Sequence, residues 1–272
     1  MSKNIFIIGA TSGFGIVVAK ELVSQGHVVL IAARSQEKAK KLLNDLVPIA
    51  SKSGGSIDWI ECDLSSIKSI EEASKKVASK FDHLDQLINN AGVWYSEFTA
   101  SMDGIEETFQ VNVIAPYLFI KNLKPLLDKA ETPKVINTAP GLHTGTVNFN
   151  DIQYKAQFSG FKAYRQSKLS IILLTRLFAS RGQKIQYYAQ HPGVVNTSLG
   201  RHMGGLANLF FKFIGVSKEK GAQSLLHLSK TPVEKLQNGE YYAKSAPKRI
   251  TKESYDMQAA ARLEETIISM LE

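Results

Sequence analysis

The chain has 272 residues, 44% hydrophobic and 21% charged, the ordinary balance of a globular protein that buries a core. Its net charge is +8, but the lysines are scattered without a long basic block. The charge therefore reads as a solvated surface that contributes to holding an anionic small ligand, and no motif points to nucleic acid. Cys62 is the lone cysteine, which excludes an intrachain disulfide, and His27, His83, His143, His191, His202 and His227 show no metal-ligand spacing, so no metal is expected. A reducing, cytoplasmic setting is the natural expectation.

The apolar run 3–8 ends at Gly9; it is too short to span a bilayer and lacks a signal-peptide cleavage pattern, so it reads as a buried strand. A helical pattern follows over 13–25, then a second buried strand over 27–33 and a charged helix over 35–52. Ser53-Gly54-Gly55 reads as a flexible joint before a third strand, 56–60. Further on come a helix over 66–80, a strand over 84–88 and a long helix over 102–129. Val135 and Ile136 mark a fifth strand, 162–181 a helix, 184–189 a sixth strand, 239–242 the last strand, and 252–271 a closing helix. Uniformly apolar strands alternating with helices predict a parallel sheet covered on both faces. With no linker or composition break, residues 1–272 read as one α/β domain.

Gly9-Ala10-Thr11-Ser12-Gly13-Phe14-Gly15 lies between the first strand and the first helix. Small residues there let the backbone turn tightly and approach a phosphate, and the helix N-terminus offers free N–H groups and a positive dipole end. This placement points to dinucleotide binding. The second strand ends at Ala33-Arg34-Ser35, and the first carboxylate after it is Glu37. An acidic residue near this point meets a free ribose 2′-hydroxyl, whereas arginine meets a 2′-phosphate. Arg34, with Lys38 one turn into the helix, therefore predicts NADP, with NADPH preferred over NADH.

Tyr164 and Lys168 stand four residues apart and share one face of the 162–181 helix. An ammonium beside a phenol favours phenolate, so the pair is a candidate proton-transfer unit. The spacing is common on solvated helices and takes its meaning from the motifs around it.

Those motifs, in register, are the glycines at 9, 13 and 15, Cys62-Asp63-Leu64, Asn89-Asn90-Ala91-Gly92, Tyr164 with Lys168, and Pro192-Gly193 followed by Val195-Asn196-Thr197. Together they resemble the short-chain dehydrogenase/reductases over nearly the whole chain. Ala33-Arg34-Ser35, the 84–92 run and Gly221-Ala222-Gln223 look most like the retinol-dehydrogenase-like branch. The resemblance implies a doubly wound Rossmann fold with about seven parallel strands. It implies an NADP(H)-dependent oxidoreductase acting on an apolar alcohol, aldehyde or ketone. Gly9, Thr11, Ser12, Gly13 and Phe14, with Gly15, would hold the pyrophosphate and its ribose. Asp63 and Leu64 would hold the adenine, and Asn90, Ala91 and Gly92 would line the cleft. Tyr164 would be the acid or base, and Lys168 would lower its pKa and bind the nicotinamide ribose. Asn112 would support a water-linked proton path to the lysine. Pro192, Gly193, Val195 and Thr197 would approach the carboxamide. The fold also often dimerises through the helices near 102–129 and 162–181, so a homodimer or homotetramer is a family expectation.

One departure stands out. The family places Asn-Val-Ser-Ser at the end of the fifth strand, its second serine orienting the substrate oxygen; this chain has Asn137-Thr138-Ala139-Pro140. Proline has neither a hydroxyl nor a backbone N–H. Either Thr138 or Thr144 supplies a substitute, or the protein binds cofactor with little or no turnover. His143 matches a histidine common in this branch, without an assigned role. Beyond Thr197, the apolar and aromatic segment 206–214, within a region of about 196–216, reads first as a lid over an apolar substrate, then as core packing, and last as a membrane-contacting patch.

Overall fold

The computed structural model describes residues 2–182, 184–193 and 217–272. Among these residues seven strands run parallel: β1 (Asn4–Ile8), β2 (Val28–Ala33), β3 (Ser56–Glu61), β4 (Gln86–Asn89), β5 (Lys134–Thr138), β6 (Gln186–His191) and β7 (Tyr241–Ala243). Their order is β3-β2-β1-β4-β5-β6-β7, so the chain winds outward one way from β1 and then the other way from β4. The switch point between β1 and β4 opens a crevice at the carboxyl ends of the strands, where such sheets bind ligands.

An eighth strand, β8 (Ala246–Pro247), pairs antiparallel with β7, one more than the sequence suggests. Lys244 and Ser245 both take positive φ, 50° and 66°, as a two-residue hairpin turn requires. Neither residue is a usual signal for that turn, which is why the strand is hard to read in advance.

Among the described residues the helices are α1 (Gly15–Ser24), α2 (Gln36–Ser53), α3 (Ile67–Lys80), α4 (Ala115–Leu127), α5 (Gly160–Ser180), α6 (Lys218–Lys230) and α7 (Met257–Leu271). Strand side chains alternate between two cores. Phe6, Ile8, Leu87 and Val135 face α3, α4, α5 and α7, while Ile5, Ile7, Ile88 and Ile136 face α1, α2 and α6. Both faces are thus covered, and the inner strands β1 and β2 are apolar on both sides, while the edge strand β3 exposes Ser56, Asp58 and Glu61.

Four segments differ from the sequence reading. The long helix expected over 102–129 begins only at Glu107, with a short turn Glu107–Phe109 and a π-turn Gln110–Ile114 before α4. Gly104 has φ +73°, and the Glu106 carboxylate takes the N–H groups of Thr108 and Phe109, so the helix cannot start earlier. In the π-turn the Ala115 N–H reaches back to the Gln110 carbonyl. Ser53-Gly54-Gly55 is a helix end: Gly54, at φ +76°, is the left-handed cap of α2. Gly13, at φ +57°, keeps α1 from starting before Gly15. The closing helix divides into a 3₁₀ turn, Lys252–Tyr255, and α7, which the Asp256 side chain caps.

Candidate active site

A cleft of about 490 Å³ lies along the carboxyl ends of β1, β2, β4, β5 and β6. Its first wall is the glycine turn. Gly9 has φ +87°, and a Cβ there would stand 2.5 Å from the Ala91 nitrogen. At Gly15 a Cβ would stand 2.1 Å from the Gly9 carbonyl oxygen, so this glycine closes α1 onto the turn and does not itself line the cleft. The N-cap of α1 is Phe14, which has no side-chain capping bond, and the first turn carries no acid. The leading N–H groups of α1 therefore remain without a side-chain partner, a cradle that fits the pyrophosphate of a dinucleotide.

Beyond the turn, Arg34 leaves the end of β2 with its side chain 72% exposed, 4.0 Å from the Asp63 carboxylate. Asp63 is oriented by its own bonds: its Oδ1 accepts the Ser65 N–H and hydroxyl at 3.0 and 2.8 Å. Arg34, Asp63 and Leu64 all line the cleft. Lys38 does not. Its backbone N–H is taken by the Ser35 hydroxyl and its side chain is exposed on α2.

A hydrogen-bonded rail crosses the floor. The Asn90 amide donates to the Gly9 carbonyl at 2.9 Å, the Thr138 hydroxyl donates to Asn90 Oδ1 at 3.0 Å, and the Gln190 amide donates to Thr138 Oγ1 at 2.9 Å. This ties β1, β4, β5 and β6 together at one level. It also commits the Thr138 hydrogen to the sheet, so that hydroxyl cannot give a bond to a substrate. Thr144 is no substitute either: it is exposed, does not line the cleft, and uses its carbonyl to hold the Arg165 guanidinium. His143 is buried edge-on against Tyr241, with ring centroids 5.1 Å apart, and its Nδ1 approaches the Pro140 carbonyl at 3.4 Å. These contacts make it a packing residue.

Tyr164 and Lys168 lie on one face of α5 and both reach the cleft. Tyr164 is 1% exposed and stacks on Trp94 with centroids 4.5 Å apart and planes 8° from parallel. Lys168 Nζ sits over the same ring, 5.2 Å from its centroid. No described residue hydrogen-bonds the Tyr164 hydroxyl. The expected lowering of the tyrosine pKa by the lysine is not what this surrounding produces. Burial pushes the phenol above its usual value and holds the Lys168 ammonium down to about 7.

Asn112 stands in the π-turn behind the cleft wall. Its amide oxygen accepts the Val93 N–H at 2.9 Å, and its nitrogen donates to the Val93 carbonyl and the Ser167 hydroxyl, both at 3.0 Å. A Cβ at Gly92 would sit 3.1 Å from Lys168 Nζ and 3.3 Å from Asn112 Oδ1, so the lysine and asparagine converge on that glycine.

Of the residues singled out from the sequence, the cleft gathers Gly9, Thr11, Ser12, Gly13, Phe14, Arg34, Asp63, Leu64, Asn90, Ala91, Gly92, Tyr164, Lys168, Pro192 and Gly193. Gly15, Lys38 and Asn112 do not line it, and Val195, Thr197 and the 196–216 segment lie outside the described residues. Trp94, Val111, Gly141, Leu142 and His191 also line it without having been foreseen. Trp94 stands two residues past the Asn-Asn-Ala-Gly run and His191 directly precedes Pro192-Gly193, so nearness to a motif was the available signal. Among the described residues no group of three or more His, Cys, Asp or Glu could hold a metal, and no helix is long and apolar enough to cross a membrane.

The family model described as short chain dehydrogenase matches residues 3–204. Human retinol dehydrogenase 13 is 30% identical over 273 residues, covering 96% of this chain and 82% of that protein. Mouse retinol dehydrogenase 11 is 32% identical over 235 residues, covering 84% and 73%. An NADPH-bound carbonyl reductase from chicken fatty liver has the same fold, with a TM-score of 0.68 and 24% identity over 92% of this chain and 99% of that one. The motifs, the doubly wound sheet and these likenesses agree: the chain belongs to the short-chain dehydrogenase family of oxidoreductases, in its retinol-dehydrogenase-like branch.

Proposed function

We propose that this chain is an NADP(H)-dependent oxidoreductase that interconverts an apolar alcohol with its aldehyde or ketone. The observation that carries the reading is the placement of Tyr164 and Lys168, buried on one face of α5, in the same cleft as the uncapped glycine turn and Arg34. The bound nicotinamide supplies or accepts the hydride. The turn at Gly9–Gly15 and the N-terminus of α1 hold the pyrophosphate, Arg34 takes the 2′-phosphate, and Asp63 and Leu64 bracket the adenine. Pro192, Gly193, Val195 and Thr197 approach the carboxamide, and Asn112 positions the Val93 backbone and Lys168. Tyr164 gives a proton to the substrate oxygen in reduction and takes it in oxidation. Negative charge brought by the dinucleotide favours the Lys168 ammonium, which in turn favours ionisation of Tyr164. Trp94, Val111 and Leu142 make the substrate end of the cleft apolar, with Phe161 6.0 Å beyond Trp94. The apolar substrate of the retinol dehydrogenases it resembles supports the same class.

Purified protein tested with a panel of aldehydes and ketones should oxidise NADPH in preference to NADH, and Tyr164→Phe should lower turnover on the order of 10³-fold; turnover unchanged by that substitution overturns the mechanism. A second reading has its own observation: Pro140 stands where a hydroxyl is expected, and the Thr138 hydrogen is spent on Asn90. On that reading the protein binds cofactor with little or no catalysis, and turnover appears only in Pro140→Ser.

A further inference from the structure

Pro140 leaves the cleft wall beside Tyr164 without the usual hydroxyl, yet a donor stands on the next strand. His191 ends β6, beside the end of β5, and lines the cleft together with Pro140, Gly141 and Tyr164. Its Nδ1 accepts the Gly141 backbone N–H at 3.0 Å. A neutral imidazole that accepts at one nitrogen carries its hydrogen on the other, which makes Nε2 the donor. No described residue takes that hydrogen. The ring lies against the bare backbone of Gly141: a Cβ there would stand 3.4 Å from Cε1 and 3.7 Å from Nε2. Pro140 has no N–H of its own, so the first N–H past the end of β5 after Ala139 belongs to Gly141 and goes to the imidazole. Burial holds His191 down to about 4, with the Lys248 ammonium and His143 acting in the same direction, and the ring stays neutral near pH 7.

We infer that His191 Nε2–H is the hydrogen-bond donor that holds the substrate oxygen beside Tyr164, replacing the serine hydroxyl that Pro140 removes. The inference rests on the oxidoreductase reading. In reduction the substrate carbon gains the hydride, its oxygen gains the Tyr164 proton, and the C=O double bond becomes a single bond. The imidazole transfers no proton; its N–H bond to the oxygen strengthens as negative charge gathers there. A histidine donor reaches further than a serine hydroxyl, so the Pro140-Gly141 pair and His191 act as one unit: the first removes a donor and the second supplies it.

His191→Ala should lower kcat on the order of 10²–10³-fold, the usual effect of removing one such donor, with the NADPH Kd within about twofold, since a cofactor contact is not lost. Adding Pro140→Ser to His191→Ala should restore most of that loss. A loss without restoration, or a weakened Kd for NADPH equal to the loss of turnover, means that His191 only shapes the cleft and overturns the inference. Nitrogen-15 NMR provides a readout free of turnover. The His191 ring should carry its hydrogen on Nε2 at pH 7, and that N–H should shift when acetophenone is added to the NADPH-loaded protein. A ring protonated on Nδ1, or an N–H indifferent to the ketone, overturns the inference. If the wild type turns over no carbonyl while this N–H still responds, the oxidoreductase reading fails and the oxygen-binding role of His191 stands.

Discussion

At the β1–α1 end of the cleft the walls are backbone, whereas at the β5–α5–β6 end they are side chains drawn from two loops, a helix and a strand end. Gly9, Gly13 and Gly15 work by what they lack: a Cβ at 9 or 15 would drive into backbone atoms under 3 Å away. Trp94, Pro140, Tyr164 and His191 work by what they carry, and they come from four different stretches of chain. The first end suits a ligand that every member of a family shares, because phosphate needs only N–H groups and room. The second suits a ligand that differs between members, because a change in any one loop alters the pocket without disturbing the turn.

The largest expected effect belongs to the side-chain end. Tyr164→Phe should lower kcat on the order of 10³-fold, in the range for loss of a general acid or base, and leave the NADPH Kd almost unchanged; steady-state kinetics beside a fluorescence titration separates the two. If affinity falls as far as turnover, the two ends are not independent. Arg34→Ala should weaken NADPH about 10–100-fold, the worth of charge-assisted bonds to a phosphate, and leave NADH as it was. Equal losses for both cofactors would place Arg34 outside the 2′-phosphate site. Gly15→Val acts on the scaffold: its Cβ would meet the Gly9 oxygen at 2.1 Å, and overpacking of this kind costs about 3 kcal/mol, read from urea unfolding.

A subtler test uses pH. Burial lowers Lys168 from 10.5 to about 7, so between those values the unfolded chain binds more protons than the folded one. Stability from this group is therefore fully present above 10.5 and falls away as pH drops to about 7. Unfolding curves from pH 7 to 10 should rise less steeply for Lys168→Met than for the wild type; parallel curves would mean that the amine is solvated. The smallest effect is expected at Lys38, exposed on α2 and away from the cleft. Lys38→Ala should leave the NADPH Kd within about twofold, the size of a screened surface charge, and a larger loss would return it to the cofactor site.

Local rules made much of this legible. Apolar runs marked the buried strands to within a residue or two, since each strand of a parallel sheet is covered on both faces and tolerates few polar residues. The glycine turn was readable because its geometry is set by its own residues. Where the reading slipped, a distant or local hydrogen bond had the deciding vote: Glu106 begins the helix that periodicity alone placed near 102, and Lys244 and Ser245 make a hairpin turn without the usual glycine. Thr138 reads from sequence first as a strand residue and second as a substitute hydroxyl, and only its partners Asn90 and Gln190, distant in sequence, decide for the first.

By itself the sequence determined the doubly wound α/β sheet, the dinucleotide turn and the Tyr164–Lys168 pair, each encoded by residues close together in the chain. Only the tertiary structure decided what surrounds that pair. It packed Trp94 on Tyr164, spent the Thr138 hydroxyl on the sheet, and set the His191 ring against Gly141. The reason is physical: a hydrogen bond or a stack needs two groups at one place, and across β4, β5 and β6 only the folded sheet brings them there.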